Sequence, residues 1–220
     1  MANVLLGVTG SVAAIRTPAL YEALKHAGHR VKVVATAPSL YFFDPATLDP
    51  VHSLTPARNL EVVILDEDEW PGRDDGGRYE RGDEVLHIQL RRWAEVLVIA
   101  PLDANTLAKL ANGLADNCLT CVWRAWERSR PVVLAPAMNT LMWEHPATAR
   151  HLRQIAEDAG ASPLSLLDLP GLLVWIDEHC PRLRIVPPQS KRLACDDVGV
   201  GAMAEIEAIV QIVNAVPLAG

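Results

Sequence analysis

The chain has 220 residues, half of them hydrophobic and 5% aromatic, with a formal net charge of −7. That length buries a sizeable core in one domain, and no run of about 18 apolar residues is present to form a membrane span. The acidic balance disfavours nucleic acid and anionic membrane as partners, because both reward basic surfaces, while leaving room for a local phosphate site.

In chain order, the apolar run 3–9 reads as a strand ending at Gly10-Ser11. Its core, 4–8, is too short for a secretory signal and has no basic stretch before it, so a cytoplasmic location is expected. A helix is expected over 12–27, stopped by Gly28. Residues 30–36 form a second strand, 38–43 a loop or short helix, and 62–65 a third strand. The segment 66–84 is charged, carries Gly76-Gly77 and has almost no aliphatic residues, which predicts a mobile surface loop. Val96, Leu97, Val98 and Ile99 mark 95–100 as the clearest buried strand. Helices follow over 104–114 and 117–127, then a strand over 131–135 and a helix over 145–159. Weak strands are expected near 171–175 and 183–186, and a last helix over 202–213.

This alternation implies a single-domain α/β fold: a doubly wound parallel sheet in a Rossmann- or flavodoxin-like three-layer sandwich. Ligands of such sheets bind at the carboxyl ends of the strands. Four informative loops fall there: 9–11, 36–39, 101–106 and 136–139.

Gly10-Ser11-Val12 joins a strand to a helix, a geometry that presents N–H groups and a hydroxyl to an anion. The same three residues also suit an ordinary turn with Ser11 as N-cap, and they lack the later glycines of a dinucleotide fingerprint. Thr36 and Ser39 can add hydroxyls to one phosphate or serve as plain loop residues. His87, in LHIQLRRWA, suits general acid–base work near neutral pH or a structural role at a helix start. Asn139 follows a strand among Met138, Met142 and Trp143, where an amide can hold a carboxylate and the apolar groups can face a planar ring or fill a core. Cys118 and Cys121 form a C-x-x-C without the second pair that zinc normally needs. The segment 187–201, with Gly199 and Gly201, reads as a flexible lid before the last helix.

Taken in order, these motifs resemble the homo-oligomeric flavin-containing cysteine decarboxylase family, in its single-domain branch, over roughly residues 4–213. The matching pieces are Gly10-Ser11-Val12, the His87 motif, the flavin loop from Pro101 to Thr106, the Pro136–Trp143 segment and the lid motif from Leu193 to Met203. The resemblance implies FMN as cofactor, with Gly10, Ser11, Val12, Thr36, Ser39, Phe42, Asp103, Ala104, Asn105, Thr106 and Ala137 around it. It implies His87 as catalytic base and Cys195 as proton donor. Asn139 and Met142 would bind substrate, and Arg192, Leu193 and Ala194 would close over it. The implied reaction turns 4′-phosphopantothenoylcysteine into 4′-phosphopantetheine in coenzyme A biosynthesis, on a homotrimer with FMN between subunits. Alternatives within the resemblance are a peptidyl-cysteine decarboxylase and a regulatory phosphatase-binding homologue. A flavodoxin-like electron carrier would need neither His87 nor the Pro136–Trp143 segment.

Three positions depart from the family pattern. Asp103 stands where it carries serine, Ala37-Pro38 replaces a more polar pair, and Asp196 replaces a glycine after Cys195. A carboxylate beside Cys195 would raise the thiol's pKa and keep its proton available.

Loss of CO2 needs an electron sink, and a cysteine amide has none. Oxidising the thiol carbon to a thioaldehyde creates one. Decarboxylation then leaves an ene-thiolate, which must gain a proton and a hydride to become the saturated thiol. Flavin carries the electrons, and the protein orients the groups.

Overall fold

Branched apolar residues, unbroken by polar ones, make the central strands of the chain fit only a sheet covered on both faces. In the computed structural model, which describes residues 1–48, 62–70, 76–78, 80–161, 167–192 and 198–218, that sheet is present with six parallel strands. β1 (Asn3–Val8) leads through a 3₁₀ turn (Val12–Arg16) into α1 (Thr17–His26) and β2 (Arg30–Ala35). After β3 (Val63–Leu65) come α2 (Leu86–Trp93), β4 (Val96–Leu102), α3 (Ala104–Asn112) and α4 (Cys118–Arg124). Then follow β5 (Val132–Pro136), α5 (Thr140–Trp143), α6 (Pro146–Asp158), α7 (Leu169–His179) and β6 (Leu183–Ile185). β7 (Gln189–Arg192) and β8 (Val198–Ala202) pair as a separate antiparallel ribbon, and α8 (Ile206–Ala215) closes the fold.

The strand order is β3-β2-β1-β4-β5-β6, the doubly wound order expected, and it reverses direction between β1 and β4. Alternate side chains divide the core. Val4, Leu6, Val33, Val98 and Val133 pack under α1 and α8. Leu5, Val34, Leu97, Ile99 and Leu134 pack under α2, α3, α4, α6 and α7. α4 reaches the sheet because Gly7 has no side chain: a Cβ there would lie 2.6 Å from Leu119 Cδ1.

Four expectations change. The helix expected over 12–27 divides at Thr17, because Pro18 in the first turn starts a new helix; Gly28, at φ +90°, ends it as foreseen. The weak strand near 171–175 is instead part of α7. Asp168 caps that helix through Gly171 N–H at 2.9 Å, and Leu172 and Ile176, one turn apart, are buried while Val174 is exposed. The helix expected from 202 starts at Ile206, after β8. The charged segment expected at the surface begins instead with a 3₁₀ turn, Asp66–Glu69, in which Asp68 and Glu69 are buried.

Leu119→Ala should lower the unfolding free energy by about 2–5 kcal/mol, the usual cost of a core cavity. Gly7→Ala should cost about 1–3 kcal/mol by overpacking against Leu119. In the Leu119→Ala background the Gly7→Ala penalty should largely vanish. Urea unfolding of the four proteins checks this, and strictly additive effects would contradict the packing described.

Candidate functional site

The crevice where strand order reverses is stitched by one hydroxyl. Thr9 Oγ1 donates to Pro101 O at 2.8 Å and accepts from Asp103 N–H at 2.8 Å. Thr9 N–H also donates to Pro101 O at 3.3 Å. The loops after β1 and β4 therefore form one unit. Thr9 is fully buried, and sequence reasoning named it only as a loop residue.

Gly10 sits between this unit and the loop after β2. A Cβ on Gly10 would lie 2.7 Å from Pro38 Cβ and 3.4 Å from Asp103 Oδ2. The other Asp103 oxygen, Oδ1, accepts from Thr106 N–H at 2.7 Å and caps α3. Asp103 thus keeps the cap that a serine would supply and turns its second oxygen toward Gly10. Ser11 caps the following turn, accepting from Ala13 N–H at 3.4 Å. The N–H groups of Gly10 and Val12 bond to nothing among the described residues, as befits the start of a helical turn that can receive an anion.

Thr36 and Ser39 are buried beside this cradle, but their hydroxyl protons are directed inward. Thr36 Oγ1 donates to Val8 O at 3.2 Å and Ser39 Oγ to Thr36 O at 2.6 Å. Either must rotate before it can donate to a phosphate. Phe42 is half-buried against the core, with Tyr41 edge-on at 5.2 Å. Asp66, at the end of β3, accepts from Ala37 N–H at 2.9 Å, and its Oδ1 is buried with no side-chain hydrogen bond among the described residues. Burial raises the Asp66 pKa, opposed by the Ala37 N–H.

The third wall is the segment after β5. Ala137 is buried, and its N–H donates to Leu102 O at 2.9 Å. Asn139 caps α5 by accepting from Leu141 N–H at 2.9 Å. Met142 is half-exposed, while its carbonyl accepts from Thr148 Oγ1 at 2.7 Å. Leu141, Met142, Ala104 and Leu107 line an apolar cleft of about 360 Å³ next to Asn139. Ala104 is half-buried and Asn105 is exposed at the start of α3, whereas Thr106 is buried.

The expected lid is anchored on this wall. Met138 N–H donates to Gly201 O at 3.0 Å, and a Cβ on Gly201 would lie 2.1 Å from Met138 O. A Cβ on Gly199 would lie 2.3 Å from Thr140 Oγ1. Both glycines therefore serve close approach, where the sequence suggested flexibility. Glu205 ties the ribbon down, accepting from Lys191 Nζ and, at 2.9 Å, from Arg16 Nη2. Those two cations hold its pKa at about 2, Lys191 contributing most. Leu193, Ala194 and Cys195 lie outside the described residues, as does the side chain of Arg192.

His87 opens α2 and therefore stands at the same carboxyl edge as the loops after the strands. Its described bonds are all with Glu69, which sequence reasoning missed. Nδ1 contacts Glu69 Oε1, and the main-chain N–H donates to Oε2 at 3.2 Å. Glu69 is buried, while the His87 side chain is 19% exposed and so open to a ligand. The Cys118 thiol also faces Glu69, and its pKa is pushed far up by burial first and by that carboxylate second. Among the described residues, His87 bonds to Glu69 while Asp103 bonds to Thr9 and Thr106, so the site comprises two clusters in one chain. Glu69 was hidden in a run of four acidic residues, Asp66–Glu69, which alone reads as a solvated turn.

A crevice built this way at a topological switch point defines an α/β protein of the doubly wound, ligand-binding class. The chain belongs to the Flavoprotein family, whose model matches residues 1–217. It is 44% identical over 204 residues to the phosphopantothenoylcysteine decarboxylase of Oryza sativa subsp. japonica, covering 92% of this chain and 75% of that one. Among solved structures it is similar to a cysteine-to-serine variant of PPC decarboxylase complexed with pantothenoylaminoethenethiol. The TM-score is 0.75, with 41% identity and coverage of 97% of this chain and 96% of that one. It is also similar to the FMN-binding protein AtHal3, with a TM-score of 0.71, 42% identity and coverage of 97% and 95%.

The Glu205 link has a definite pH dependence. Its folded pKa lies below the ordinary 4.5, so the stabilisation is complete above that value and is lost as pH falls through about 2. NMR titration of the Glu205 carboxyl should give a midpoint near 2, and a midpoint near 4.5 would show that the link does not form in solution.

Proposed function

We propose that this protein decarboxylates 4′-phosphopantothenoylcysteine to 4′-phosphopantetheine with FMN as cofactor, a step of coenzyme A biosynthesis. The observation that carries the reading is the crevice at the switch point, where loops from three strands close on Gly10. Support comes from the family, and from relatives of that name along nearly the whole chain.

The residues present suit the cofactor. Gly10 leaves a cradle that a side chain would fill, and two N–H groups there await an anion such as the FMN phosphate. Ser11, Thr36 and Ser39 would complete the phosphate contacts, the last two after rotating. Val12, Phe42, Asp103, Ala104, Asn105, Thr106 and Ala137 would surround the rest of the cofactor. When bound, FMN supplies oxidation of the substrate's thiol carbon and the final return of a hydride.

The chain's own residues do the remainder. His87 takes the proton of the substrate thiol onto its ring. Asn139, fixed at the head of α5, holds the substrate carboxylate until CO2 leaves, with Met142 against the substrate. Arg192, Leu193 and Ala194 close over it. Cys195 delivers a proton to the ene-thiolate carbon. A cysteine-to-serine relative holding an aminoethenethiol is what a missing proton donor would leave behind, and this supports the Cys195 role.

Exposed apolar residues include Val12, Ile15, Leu40, Tyr41 and Leu141, which lie in the segments that follow β1, β2 and β5 at the carboxyl edge. They suit a face covered by another subunit, and the reading carries a homotrimer working in the cytoplasm, where thiols stay reduced.

His87→Asn should retain bound FMN yet lose about 10²–10⁴-fold in turnover. Cys195→Ser should release ene-thiol in place of phosphopantetheine. Mass spectrometry of the products, with visible absorbance for FMN, checks both. A wild-type protein that binds FMN but leaves phosphopantothenoylcysteine unchanged would overturn the reading. Light scattering should give three times the 24.0 kDa chain mass, and a monomer mass would remove the trimer.

A further inference from the structure

We infer that Glu69 is the positioning residue of the reaction: its buried carboxylate holds the His87 ring with a proton on Nδ1, leaving Nε2 as the nitrogen that receives the substrate's proton. The inference rests on the reading of His87 as the base, and it adds the group that makes that imidazole competent.

The geometry carries the argument. The Glu69 side chain is 1% exposed, against 19% for His87. One oxygen takes the His87 Nδ1 contact and the other accepts from the His87 main-chain N–H at 3.2 Å. The Cys118 thiol faces the same carboxylate, which helps to push its pKa up. A carboxylate oxygen can only accept, so the ring nitrogen beside it is the donor. Two bonds to one residue, one through its backbone and one through its ring, fix the ring's rotation and its tautomer together.

The surroundings explain why the group is more than a structural anchor. Among the described residues, no lysine or arginine pairs with Glu69. On α2 itself, Arg91 is directed to Glu127 at 2.9 Å. From α4, Cys118 and Cys121 face the carboxylate, and burial raises both thiols, keeping them neutral. In its own turn, Asp68 accepts from Leu65 N–H at 2.7 Å and Asp66 from Ala37 N–H at 2.9 Å. A buried carboxylate without a cation is costly. It gains its counter-charge when His87 Nε2 takes a proton: the substrate S–H bond breaks, an N–H bond forms, Nδ1 keeps its proton and Glu69 stays ionised. Glu69 thus sets which ring nitrogen is left to face the substrate.

The test uses the FMN-loaded, full-length protein labelled with ¹⁵N at histidine. In the wild type, the His87 ring should show the proton on Nδ1. Glu69→Gln should retain FMN by visible absorbance and shift His87 toward the Nε2–H form. Its kcat should fall about 10²–10⁴-fold. An Nε2–H ring in the wild type would overturn the inference, and that measurement needs no variant to fold. So would Glu69→Gln with an unchanged tautomer. Wild-type protein with an Nδ1–H ring but no turnover of phosphopantothenoylcysteine would instead remove the functional reading and leave the Glu69–His87 pairing standing.

Discussion

Everything at the carboxyl edge of this sheet is referred to the Thr9 hydroxyl. By donating to Pro101 O and accepting from Asp103 N–H, it holds the loops after β1 and β4 at hydrogen-bond distance across the switch point. Strands that diverge at this place leave a crevice, and a crevice alone is only space. The buried hydroxyl gives it fixed walls, so that Gly10, Pro38 and Asp103 meet within the width of one missing methyl group. Ala137 extends the arrangement by donating its N–H to Leu102 O, and Met138 extends it again through Gly201.

The two faces of the sheet have different tasks. α1 and α8 cover one side with aliphatic residues. The other side carries the α2, α3 and α4 packing, and there the carboxylates of Asp66 and Glu69 enter close to the core. Their burial has a cost that ordinary surface turns avoid. Each is offset by donors at hand: the Ala37 N–H for Asp66, and the His87 ring and main-chain N–H for Glu69. The C-x-x-C pair belongs to this packing. Cys118 is a buried thiol beside Glu69, and Cys121 lies one turn further, partly exposed.

The segment read as a lid is a ribbon whose second strand rests on the Asn139 loop through glycines. Where a Cβ would come within 2.1 Å of a carbonyl oxygen, glycine is a packing requirement and mobility does not explain it. Glu205 fastens the same ribbon to the turn after β1 through Lys191 and Arg16. The β1 and β5 loops and the ribbon are therefore linked, although they lie far apart in the chain.

By itself, the sequence determined the layered α/β class, most strand positions and the loops that bear the site. Runs such as Val96–Ile99 are legible because their apolar character is local and continuous, and Gly10, Asp103 and Asn139 are legible because strand ends concentrate function in such folds. Only the tertiary structure decided the partner of His87, the inward direction of the Thr36 and Ser39 hydroxyls, the reason for Gly199 and Gly201, and the helical state of 169–179. The partner of His87 and the reason for Gly201 depend on groups distant in sequence: Glu69 precedes His87 by 18 residues, and Gly201 meets Met138 from another layer of the fold. Composition reports what a residue prefers on its own, whereas a buried carboxylate or a side-chain-free contact is settled by what the fold places against it.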